Sequence, residues 1–200
     1  MPDTIARAGN LLSHSVPMKQ VLLDGQHDGR ELRNALGRFP TGVTVITAQV
    51  PDGKLEGLTA NSFSALSLDP PLVLWSLSRK SQSLSGIVAA GHFAINVLRI
   101  EQTDLSHRFA TPHKNKFEGV KFETGLGGSP VLGGVLASFE CKTESTIEGG
   151  DHLLFVGRVL RINYGEGDPL IFNAGRYCTA VSLRVGSAES DLDGIWVGLG

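Results

Sequence analysis

The chain has 200 residues, 19% of them charged, and its 18 Lys and Arg against 20 Asp and Glu leave a formal net charge of −2. That length is expected to form one domain around a substantial single core, and so even a charge balance provides no basic footprint for nucleic acid. Cys141 and Cys178 stand far apart with no C-x-x-C or Cys/His spacing, so neither a disulfide framework nor a metal site is expected, and a reducing, cytoplasmic setting fits.

Residues 1–27 mix Gly, Ser, Pro and polar residues without sustained periodicity and are predicted to be an N-terminal extension. They lack the basic-then-apolar order of a signal peptide, since Lys19 and Gln20 interrupt their most apolar part. No apolar run approaches the ~20 residues that span a bilayer, so no membrane partner is expected. Asp28 stands three residues before Glu31 as in a capping box, and Leu32, Ala35, Leu36 and Phe39 follow at helical spacing, which predicts a short helix ending at Pro40. Residues 43–48 are β-branched and strand-like, and Pro51-Asp52-Gly53 supplies a turn into a strand around Gly57. Residues 72–77 are apolar on both faces and predict a strand buried on both sides.

Ser81 can cap a helix carrying Leu84, Ile87 and Val88 and ending against Gly91. A strand over 93–98 and a second helix over 103–110 come next, and the Gly-rich stretch 125–134, with Pro130 inside it, reads as a loop. Two long strands, 135–147 and 152–162, meet at Glu148-Gly149-Gly150-Asp151, a hairpin signal with glycines where positive φ is needed. Residues 169–181 read as a final strand broken at Gly175, and 182–200 as a Gly/Asp-rich C-terminal tail. The folded domain is thus expected over 28–181. Many short strands with few helices predict a mainly β fold, a closed antiparallel barrel rather than alternating βαβ units.

The usual enzyme fingerprints are missing. Gly125-Leu126-Gly127-Gly128-Ser129-Pro130 fails the dinucleotide pattern because Pro130 takes its sixth position. Neither a G-x-S-x-G elbow nor an H-E-x-x-H pair occurs, and the six histidines are scattered.

Three segments together carry more information. Phe39-Pro40-Thr41-Gly42-Val43 leads into a strand, Thr59-Ala60-Asn61-Ser62-Phe63-Ser64 is small and hydroxyl-rich, and Arg79-Lys80-Ser81-Gln82-Ser83 opens a helix with cations and hydroxyls. Taken singly, each has an ordinary structural reading: a helix stop, a solvated strand, an exposed capped turn. Together, from about Arg30 to Val181, they resemble the flavin reductases of the flavin-binding split-barrel family, the reductase partners in two-component flavin monooxygenases. The resemblance implies a Greek-key split β-barrel of the flavin-reductase type. It implies FMN or FAD as the flavin and NADH or NADPH as the electron donor.

On that resemblance, Pro40, Thr41, Gly42 and Val43 lie by the isoalloxazine ring. Thr59, Ala60, Asn61, Ser62, Phe63 and Ser64 bind its pyrimidine side, where charge appears on reduction. Lys80, Ser81 and Ser83, with Arg79 as a possible second cation, take the phosphate, as helix starts with hydroxyls and a cation do. His152, in a Gly-Asp-His element, faces the flavin in an orienting role and stands as the catalytic candidate. Arg176 and Tyr177 return toward the pocket on the last strand, with a surface charge and a core aromatic as their ordinary reading. Phe109 lines either pocket or core.

The implied activity is an NAD(P)H:flavin oxidoreductase that moves hydride from nicotinamide C4 to flavin N5 at ~3–3.5 Å. Reduced flavin then diffuses to a partner flavin-dependent monooxygenase, and the reductase is a homodimer. Two other readings stay open: a non-catalytic flavin-binding electron carrier, and a ligand-binding barrel with a degenerate site. No basic cluster for a second phosphate supports an oxidase of the pyridoxine-phosphate type.

Overall fold

The structure is a computed structural model of the chain and describes residues 18–23, 29–113 and 115–181. Asp28, most of the N-terminal extension and the tail 182–200 lie outside the described residues, as does the isolated Lys114. The chain divides into two units, 1–36 and 37–200.

In the first unit, α1 (Gly29–Leu36) buries none of its residues. Lys19 reaches Glu31 at 2.7 Å, an exposed pair that contributes little to stability. The helix stops at Leu36 rather than running to Pro40: Gly37 follows, and the residues ahead of a proline are driven out of helical geometry.

The second unit is mainly β with short helices. Seven strands form one antiparallel ladder in the order β3-β2-β6-β9-β10-β5-β4. These are β2 (Thr44–Gln49), β3 (Leu55–Ala60), β4 (Ser64–Ser67), β5 (Leu72–Ser78), β6 (His92–Val97), β9 (Ala137–Gly149) and β10 (His152–Tyr164). A second sheet joins β1 (Thr41–Gly42) to the hairpin of β11 (Ile171–Asn173) and β12 (Arg176–Cys178). A third pairs β7 (Phe122–Thr124) with β8 (Pro130–Leu132). The helices α2 (Leu84–Ala90) and α3 (Thr103–Ala110) fall where the periodicity predicts, and α2 ends at Gly91 in the left-handed region.

Two apolar clusters fill the unit. One gathers Ile46, Trp75, Ile87, Phe93, Ile95 and Phe155, with Trp75 stacked on Phe155 at 4.5 Å and edge-on to Phe93 at 5.6 Å. Leu58 and Ala60 of β3 pack on this same cluster as Phe63, just before β4, so the ends of the seven-strand ladder share one core. The other cluster gathers Val43, Val45, Leu98, Phe109, Leu132 and Leu170. A buried Asn96 ties the two short strands to the large sheet: its amide donates to Val45 O at 3.0 Å, and its carbonyl accepts from Leu132 N at 2.8 Å.

Four local expectations are revised. The segment 125–134 is not wholly loop, because Pro130 to Leu132 pair with β7 and Asn96 satisfies the Leu132 amide. Strand β5 alternates buried with half-buried residues rather than being buried on both faces, since Val73, Trp75 and Leu77 face the core cluster while the residues between them point to the opposite face. The final strand is a hairpin turning at Ala174 and Gly175, both at positive φ. At the β9–β10 turn only Gly150 takes positive φ, at +64°. Among the described residues no helix is long and apolar enough to cross a membrane.

Candidate functional site

The end of α3, the face of β3 and the start of α2 enclose a cleft of about 670 Å³. Its apolar wall is Leu55, Leu58, Leu77, Phe109 and Phe117, and its polar wall includes Thr59, Ser81, Ser83, Glu56 and Lys116. Gly57 is what allows the wall to form: a Cβ there would lie 2.4 Å from the Phe109 ring. Phe109, edge-on to Phe117 at 5.1 Å, belongs to both the core and the cleft.

Thr59, Ser81, Ser83 and Phe109 are therefore brought together as expected residues of one cleft. Thr59 Oγ1 donates to Ser106 O at 2.6 Å, and Ser106 Oγ lies 2.8 Å from Tyr177 Oη, so the last strand is joined to the β3 wall through α3. Tyr177 also packs on Phe172, whose register partner is Thr41. Thr41 Oγ1 is shut away from solvent without a hydrogen-bond partner, and beside it a Cβ on Gly42 would meet nothing within 4 Å. A buried hydroxyl left unpaired next to open space is what a polar-edged planar ligand would satisfy. Pro40 is exposed ahead of it.

Val43 is buried. It is 2% exposed inside the second core cluster, its amide donates to Leu170 O and its carbonyl accepts from Leu98 N. Ser62 is bound locally: its hydroxyl donates to Ser76 O at 3.1 Å and accepts from Ser76 N at 3.0 Å, bracing the 61–63 segment against β5. Ala60 pairs with Thr44 and its carbonyl accepts from Thr44 Oγ1. Phe63 packs on Phe139 at 5.4 Å, while Asn61 and Ser64 are exposed.

The start of α2 is less open than its composition suggests. The amides of Lys80, Ser81, Ser83 and Leu84 are already engaged by Ser78 Oγ, Ser78 O, Ser81 Oγ and Ser81 O. Lys80 is exposed and does not line the cleft, and Arg176 is exposed on β12. The adjoining turn is clamped to the β9–β10 tip, because Arg79 N donates to Asp151 O at 2.9 Å and the Arg79 guanidinium pairs with Glu148. That clamp sets His152 across from Ser78 in the ladder, with its Nδ1 held 2.8 Å from the Asp151 carboxylate. The His152 contact, first through the hydrogen bond and then through charge, holds Asp151 below the usual carboxylate range.

Two charged groups escaped the sequence reading. Lys116 Nζ donates to Phe109 O at 2.8 Å and Gly57 O at 3.1 Å, closing the loop after α3 over the cleft. Burial pulls its pKa below the ordinary lysine value, while the Glu56 charge works the other way. Glu56 Oε2 accepts from Ser83 Oγ at 2.6 Å, and its other oxygen meets Lys54 at 2.5 Å. Burial works to raise the Glu56 pKa, but Lys54, Ser83 and Lys116 together hold it below the usual range. Nothing in residues 54–56 or 115–117 marks them for a site, since only folding brings them to one cleft.

This fold and site define a class: residues 36–180 match the flavin reductase like domain, and the chain belongs to that family. It is 45% identical over 162 residues to an FMN reductase (NADH), SmoA, of Agrobacterium fabrum, covering 81% of this chain and 92% of the relative. It is also 42% identical to the flavin-dependent monooxygenase reductase subunit HsaB of Rhodococcus jostii, over 75% of this chain and 77% of that protein. Among solved structures, the NADH:FAD oxidoreductase SgcE6 of Streptomyces globisporus, in complex with NAD and FAD fragments, superposes with a TM-score of 0.77 at 32% identity. That match covers 84% of this chain and all of the other.

Proposed function

We propose that the protein is an NAD(P)H:flavin oxidoreductase that supplies reduced FMN or FAD to a partner flavin-dependent monooxygenase. The observation that carries this is family membership over nearly the whole second unit, with a relative at 45% identity named as an NADH-dependent FMN reductase. The HsaB relative supports the two-component arrangement, and the SgcE6 complex supports both a flavin and a nicotinamide nucleotide as ligands.

The residues present fit a flavin. The unpaired Thr41 hydroxyl and the open face of Gly42 offer one edge, and the 60–64 segment, braced through Ser62, offers main-chain groups held in place. Ser81 and Ser83 are the cleft residues for the phosphate-bearing end, with Phe109 lining the same cleft, and Thr59 shares that cleft instead of standing apart at the pyrimidine side. A bound flavin supplies the hydride acceptor, and its chemistry needs chiefly alignment from the protein. His152, fixed by Asp151 through Nδ1, keeps Nε2 for a ligand and acts as an orienting group.

The finer architecture is part of the same proposal: a Greek-key split barrel, supported by the core shared between the two ends of the ladder. A homodimer is proposed from the exposed apolar residues Leu160, Ile162 and Tyr164 of β10. A cytoplasmic location is proposed from the two free thiols, of which Cys141 is pushed up to about 12 by burial and the neighbouring Glu140.

The test is oxidation of NADH and of NADPH by purified protein with FMN, FAD or no flavin, followed by nicotinamide absorbance. Turnover that saturates with free flavin is expected. Flavin bound without turnover would replace the reductase by an electron carrier.

A further inference from the structure

The cleft beside α2 holds a carboxylate where a phosphate would seek donors. Ser83 has a single hydroxyl proton, and it is donated to Glu56 Oε2 at 2.6 Å. The Glu56 side chain is only 15% exposed, and its charged neighbours are Lys54, paired with it, and Lys116, which gives two of its three ammonium protons to main-chain carbonyls. All three line the cleft along with Ser81 and Ser83. Glu56 is held ionised there, so an entering phosphate meets a fixed negative charge and a hydroxyl already in use.

We propose that Glu56 weakens the hold of this cleft on the phosphate of a flavin, and so speeds the release of flavin to the oxygenase. The inference rests on the reading that the phosphate-bearing end of flavin enters this cleft. Its chemistry is simple: binding either displaces the carboxylate from Ser83 or brings two anions together, and both raise the dissociation rate. Lys54 cancels part of the charge but is itself largely exposed and screened. Affinity for the isoalloxazine is left untouched, because that part of the ligand carries no phosphate.

The experiment compares riboflavin and FMN binding to the wild type, to E56Q and to K54M/E56Q by quenching of flavin fluorescence, with FMN dissociation followed by stopped flow. Glutamine keeps an acceptor for Ser83 and removes the charge. FMN is expected to bind E56Q about tenfold more tightly and to leave correspondingly more slowly, an effect that shrinks with added salt. Riboflavin affinity is expected to stay the same, and the gain for FMN to persist in K54M/E56Q. An unchanged or weaker FMN affinity in E56Q, with riboflavin binding intact, overturns the inference, as does a gain that vanishes when Lys54 is also replaced. A gain in E56Q shared equally by riboflavin and FMN overturns the placement of the phosphate, and the inference with it. Failure of the parent reading shows in the wild type alone, as FMN that is neither bound nor reduced.

Discussion

Thr41 carries an unusual burden: a buried hydroxyl without a partner costs roughly 1–3 kcal/mol unless something satisfies it. Replacing it by valine, which suits a strand, should leave the ligand-free protein equally stable or up to about 1 kcal/mol more stable in urea unfolding. The same variant should bind FMN several-fold more weakly, and equal affinity would remove Thr41 from the site. His152 invites a different comparison, because its ring is anchored to Asp151 as an orienting group would be. H152A is expected to lose less than about 10²-fold in kcat, short of the upper range for a lost general acid. A loss of about 10⁴-fold would assign His152 a proton in the reaction.

Among the elements, the β11–β12 hairpin bears most directly on the site, since it pairs with β1 and carries Tyr177 to Ser106. Its turn places Ala174 at φ +48° ahead of Gly175 at φ +80°, a two-residue turn in which alanine is strained. A174N should raise stability by about 1 kcal/mol, read as a shift in the urea midpoint at constant slope. Ala174 N donates to Gly37 O at 2.9 Å, and a turn more easily held should also keep that bond. The β9–β10 tip is governed by partners as well as by glycine, because Arg79 engages Glu148, Gly150 and Asp151.

For the molecule as a whole, the proposed dimer turns on surface that the fold leaves dry-seeking. Leu160, Ile162 and Tyr164 are 49%, 53% and 82% exposed, and Ile162 and Tyr164 fall two apart on one face of β10. Light scattering should give about twice the chain mass of 21.3 kDa. I162E should shift the protein toward the monomer while leaving its unfolding midpoint largely intact at low concentration, since Ile162 is not a core residue. A monomer in the wild type would assign those side chains another partner.

Much of this protein is legible along the chain, because helix periodicity, β-branched runs and glycine stops are local properties. The boundaries of α3 and the positions of α2, β2, β6, β9 and β10 follow from them to within a few residues. The three segments proposed as walls of a flavin site are legible only through their resemblance to the family, to which each contributes a contiguous stretch. Tertiary structure decided what those segments spend their polar groups on. Ser62 is used by Ser76, the amides at α2 by Ser78 and Ser81, and Val43 by the core, none of which is visible in composition. It also supplied Glu56 and Lys116, which lie 60 positions apart and meet in one cleft only because β3 packs against the loop after α3. Local propensity is set by neighbours in sequence, whereas burial and charge pairing are set by neighbours in space.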